Sequence, residues 1–93
     1  MSARIEYGKK EIRVYLDGEI DHHSACLIRV SVDEAIMRKR PSLLVLDFSK
    51  VTFMDSSGIG FVMGRYKAMK NVSGRIRVEN LSPSAYKVMK LAG

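Results

Sequence analysis

A chain of 93 residues holds one domain at most and buries about two-thirds of the surface its unfolded form exposes. Its 46% hydrophobic and 28% charged fractions are ordinary for a soluble globular protein, no segment approaches the ~18–20 apolar residues of a membrane span, and the lone Cys26 excludes an intrachain disulfide or a cysteine-based metal cluster, so the cytoplasm is the expected compartment. The net charge of +6 raises nucleic acid as a partner, but the basic residues are scattered from Arg4 to Lys90, the pattern of a solvated surface.

The N-terminus alternates at once and lacks the apolar core of a signal peptide, so it reads as folded chain. Residues 3–7 and 12–16 place Ile5 and Tyr7, then Ile12, Val14 and Leu16, at strand spacing around the turn "GKK", which predicts a hairpin or two neighbouring strands. "DGEID" is expected to break the second strand at Gly18. From His22 to Arg40 the period becomes helical, with Ala25, Ile28, Val32, Ala35 and Ile36 on one face. Asp21 or Ser24 can cap its start. "RKR" at 38–40 closes it, where cations complement the macrodipole, and Pro41 follows. "LLVLDF" at 43–48 predicts a strand covered on both sides. A second helix is expected over 56–71, with Ile59, Val62, Met63, Tyr66 and Met69 as its inner stripe. "RIRVEN" at 75–80 reads as a short strand. A third helix opens on Ser82 as N-cap and Pro83 as first residue, with Ala85, Val88, Met89 and Ala92 facing inward. The order β-β-α-β-α-β-α predicts an α/β domain with a mixed, mostly parallel sheet and right-handed crossovers.

The stretch "FMDSSGIG" joins the third strand to the second helix. With Asp55 as N-cap, Ser56, Ser57 and Gly58 become N1 to N3, and Met54 can pack on Ile59 as a hydrophobic staple. The carboxylate suffices for the cap, so both serines are surplus to it. Neither is placed as a nucleophile. The flanking residues do not form G-x-S-x-G, and His22 and His23 after Asp21 suit a helix start better than a triad. Nor do Gly58, Gly60 and Gly64 keep dinucleotide spacing. Close helix packing is the expectation for Gly60 and Gly64. A serine that receives phosphate remains, and on physical grounds Ser56 and Ser57 are equally available. No catalytic residue, metal or cofactor is expected.

"GEIDHHSA", "LDFSKVTFMDSSGIGFVMGRYK" and "LSPSAYKVMKLAG" resemble the anti-sigma factor antagonists of the STAS domain family, in particular those of the sporulation sigma-F switch. The likeness covers residues 1–93, read as one STAS domain. The resemblance implies a protein without enzymatic activity. Its unphosphorylated form binds an anti-sigma factor that is also a serine kinase, and so releases a sigma factor. It implies phosphorylation on Ser56 by that kinase and removal of the phosphate by a serine phosphatase. It also implies that Asp55 engages the kinase, that Asp21 lies near the docking surface, and that Ser57 is a neighbour rather than the acceptor. Family members continue past "AG" with another strand and helix, about 17 residues at mean element lengths. The resemblance therefore implies that these are absent here, which would uncover part of a sheet edge and Leu91; either the sequence is a shortened form, or the protein compensates by association as an oligomer.

The first helix adds something the resemblance does not supply. With Ile28 and Val32 inward, Cys26, Leu27, Val30 and Met37 fall on the other side. Two readings are open: a wide apolar stripe with some exposure, or a docking surface running through Leu27, Asp21, His22 and His23 to Met54, Asp55, Ser56 and Ser57. The alternatives from other classes are a non-phosphorylated STAS scaffold module and a nucleotide- or nucleic-acid-binding module. Direct nucleic-acid or membrane contact is not expected.

Overall fold

Strands β1 (Ser2–Tyr7) and β2 (Glu11–Ile20) form an antiparallel hairpin, with the amide of Gly8 donating to the carbonyl of Glu11 at 2.7 Å across the turn. Helix α1 (His22–Lys39), strand β3 (Leu43–Met54), helix α2 (Ser56–Asn71), strand β4 (Arg75–Glu79) and helix α3 (Pro83–Ala92) follow. This computed structural model describes residues 2–92, apart from the side chains of Val88, Leu91 and Ala92. The expected inward positions of Val88 and Ala92 and the uncovering of Leu91 lie outside the described residues.

The sheet runs β1-β2-β3-β4, with β2, β3 and β4 parallel. Each crossover advances one strand in the same direction, so right-handed connections carry α1 and α2 to the same face. That face holds the core. Ile12, Val14 and Leu16 of β2 and Leu44, Leu46 and Phe48 of β3 are buried against Ala25, Ile28, Val32, Ala35 and Ile36 of α1, the stripe expected from the sequence.

The other face is polar. Arg13 on β2 donates to Glu79 on β4 at 2.7 Å and approaches Asp47 on β3 at 4.0 Å, while Arg4 stacks on the ring of Tyr15. Buried Asp47 accepts from the Ser49 amide at 2.8 Å and from Asn80 at 3.2 Å. Burial alone would raise its pKa, yet these bonds hold it below the usual carboxylate range. The residues of 44–48 are buried on both faces, as expected, but no second helical layer is needed. Val45 lies in register between Arg13 and Arg77, whose long stems can shield it while their charges reach water.

Three expectations are corrected. Gly18 does not end β2, because φ of 103° and two register irregularities let the strand continue to Ile20. Strand β3 likewise runs on to Met54. In α2 the inner residues are Gly58, Phe61, Arg65 and Met69, whereas Met63 and Tyr66 are exposed. The helix is rotated from its apolar pattern because a charged residue is buried. Arg65, 4% exposed, meets Asp33 of α1 through Nε at 2.7 Å and Nη2 at 3.2 Å, and its Nη1 donates to the carbonyl of Phe61. Desolvation lowers the pKa of Arg65, and the Asp33 carboxylate opposes that shift.

Candidate functional site at two neighbouring helix starts

Parallel strands β2 and β3 end side by side, with Ile20 in register with Met54. Each is followed at once by an aspartate that caps a helix. Asp21 accepts from the Ser24 amide at 2.9 Å, and the Ser24 hydroxyl accepts from the Asp21 amide at 3.0 Å, closing a capping box. The bonds from Ser24 hold the Asp21 carboxyl below its usual pKa.

At the second start Asp55 accepts from the Ser57 amide at 2.8 Å. Its own amide has no capping-box partner, because the third helical residue is Gly58. That amide donates to the carbonyl of Ile20 at 3.3 Å, which ties the second start to the first. Gly58 is required here, since a Cβ at this position would overlap the side chain of Met54. Met54 therefore seats under Gly58, not on the outer surface where a partner-binding residue was expected. At 9% exposure it supports the turn from beneath.

The two serines separate. Ser56 is exposed, whereas Ser57 is half-buried and lines a cleft of about 200 Å³ between α1 and α2, together with His22, Cys26, Arg29, Gly60 and Phe61. His22 and His23 occupy the first exposed turn of α1. Among the described residues no hydrogen bond joins either histidine to Ser56 or Ser57. Leu27, Val30 and Met37 are 63%, 53% and 68% exposed, so the second apolar face of α1 does reach solvent, and Cys26 is only partly accessible. Gly60 and Gly64 do not mark close helix packing, because a Cβ on either would meet nothing within 4 Å.

Two features were missed by sequence reasoning, the Arg65–Asp33 clamp and the charged sheet face. The first had a signal only in hindsight, an arginine at the inward spacing of Phe61 and Met69. No described helix is long and apolar enough to cross a membrane, and no cluster of metal-ligating side chains occurs among the described residues.

The sequence matches the STAS domain family over residues 6–93. The chain belongs to the STAS domain family. It is 33% identical over 93 residues to an anti-sigma F factor antagonist of Paenibacillus polymyxa, covering 100% of this chain and 80% of that protein. The STAS fold matches the solved structure of the unphosphorylated anti-sigma factor antagonist SpoIIAA with a TM-score of 0.89 at 33% identity, over 99% of this chain and 81% of that one. The phosphorylated form of the Bacillus cell fate determinant SpoIIAA matches with a TM-score of 0.81 at 33% identity, over 99% and 84% of the two chains.

Proposed function

We propose that this STAS domain is an anti-sigma factor antagonist whose unphosphorylated form binds an anti-sigma factor with serine-kinase activity, and that phosphate on Ser56 switches it off. The observation that carries the choice of residue is the exposure of Ser56 at the first position of α2, beside half-buried Ser57. A kinase must reach the hydroxyl it modifies. A relative of the same fold is known in a phosphorylated form. Asp21, His22, His23, Asp55 and the exposed Leu27 of α1 are proposed as the rest of the docking surface. A serine phosphatase would reset the switch, and the cytoplasm is the proposed setting.

The switch acts by charge at the interface. Phosphoserine brings about −1.5 to −2 charges. The start of α2 favours an anion by ~0.3–1 kcal/mol, and the neighbouring Asp55 opposes it, so the domain tolerates the group. Against a partner carboxylate at ~4 Å, one unit charge costs about 4 kcal/mol at an effective dielectric near 20. Even ~3 kcal/mol of that lowers affinity more than a hundredfold.

The test is incubation with candidate anti-sigma kinases and ATP, then mass spectrometry of the tryptic peptide 51–65. Label on Ser56, lost in Ser56→Ala while that variant still binds the kinase, is the expected result. Label confined to Ser57, or absent with every candidate, would overturn the assignment.

A further inference from the structure

The charge of this chain is divided unevenly. Residues 1–55 contain nine basic and nine acidic side chains, whereas residues 56–93 contain seven basic residues and a single acid, Glu79. The whole of the net charge of +6 thus follows the switch serine. Glu79 is committed to Arg13 across the sheet, and buried Arg65 is committed to Asp33. The exposed cations of the helices in this half are Lys67 and Lys70 on α2 and Lys87 and Lys90 on α3. None of them forms an ion pair among the described residues.

Lys67 and Lys70 are also in line with Ser56. Positions 56, 60, 63, 67 and 70 follow the i, i+4, i+7, i+11, i+14 spacing of one helical face, and all are exposed. At about 1.5 Å per residue, Lys67 lies ~16 Å along the axis from Ser56, within the footprint of a standard interface. On α1 an exposed acid stands among the exposed cations, with Glu34 four residues before Arg38. The outward face of α2 has no such acids.

We propose that the protein docked at Ser56 presents an acidic surface to the outward face of α2, where Lys67 and Lys70 receive it. This rests on the reading of Ser56 as the switch. It also gives that switch an electrostatic logic: the lysines attract the partner's carboxylates, and phosphate at the head of the same stripe repels them. A protein suits this face better than nucleic acid. Exposed Met63 interrupts the charge, and the one arginine of α2, Arg65, has its phosphate-gripping fork buried against Asp33.

The experiment measures the affinity of the kinase that labels Ser56 for wild type and for Lys67→Glu/Lys70→Glu, by calorimetry at about 50 mM and about 500 mM NaCl. Affinity is expected to fall about tenfold in the double variant at low salt, with the difference closing at high salt. Equal affinity at low salt, with Ser56 still labelled, overturns the acidic-partner inference and leaves the switch intact. Absence of any label on Ser56 strikes the underlying reading instead. In that event a polyglutamate peptide serves as the probe, and amide shifts confined to residues 63–70 are expected; no shift there overturns the inference. A DNA duplex that binds wild type through these lysines, while kinase affinity is unchanged by the substitutions, also overturns it. If circular dichroism shows that the double variant is unfolded, Lys67→Gln/Lys70→Gln decides by the same readings.

Discussion

The starts of α1 and α2 share one local plan but differ in how they are closed. At each, a parallel strand ends, an aspartate caps, and a helix follows. The first is sealed by its own residues, because Ser24 returns the bond that Asp21 provides. The second borrows the Ile20 carbonyl of the first and has Gly58 where the reciprocal side chain would be. The difference separates a self-contained start from one that depends on its neighbour and keeps its first hydroxyl in solvent. A surface serine on such a start can accept a charged group without breaking a bond that the cap needs.

The largest effect is expected from Gly58→Val. The branched side chain must displace buried Met54, and overpacking of this kind costs about 1–3 kcal/mol, beyond the poor helix propensity of valine. Urea unfolding should show a lower midpoint, and an unchanged midpoint would mean that Met54 does not occupy this space.

Loss of the caps comes next. Asp21→Ala and Asp55→Ala should each destabilise by about 0.5–2 kcal/mol. Asp21→Ala is expected to be the worse, since it dismantles a two-way box, and a larger loss for Asp55→Ala would reverse the ranking of the two starts.

Acid should expose the same contrast. The folded pKa of Asp21 lies below its ordinary value of about 3.9. Its contribution is therefore complete above that value and is lost as pH falls through the lower folded pKa. Asp47 and Glu79 shift the same way, Asp47 through Ser49 and Asn80 despite burial and Glu79 through Arg13. Asp21→Asn keeps a capping oxygen while removing the titration, so its urea midpoint should fall less than wild type between about pH 5 and about pH 2.5, a range that brackets the ordinary carboxylate pKa. A parallel fall would assign the acid sensitivity elsewhere.

The smallest effect, and of opposite sign, is expected from Gly60→Ala. The site is open and helical, so the change should stabilise by up to about 1 kcal/mol in thermal unfolding. Destabilisation would show that Gly60, like Gly58, meets a neighbour.

Much of this architecture was legible because it is local. Alternation, helical period and the Asp21, Asp55 and Ser82 caps are written within a few residues of where they act, and the inner stripe of α1 followed from them. The family resemblance singled out Ser56, where physical reasoning had left both serines open. Other features depend on partners distant in the chain. Gly18 continues a strand because β3 lies beside it, and Met54 is buried because Gly58 leaves room above it. The face of α2 was misread because apolar periodicity has no place for a buried arginine, which becomes affordable only when Asp33, 32 residues away, is brought against it. The sequence by itself determined the elements, their order and their capped starts. The tertiary structure alone decided which side of α2 faces water, and with it the exposure of the face that Ser56 shares with two unmatched lysines, because burial and charge pairing are settled between elements and not within them.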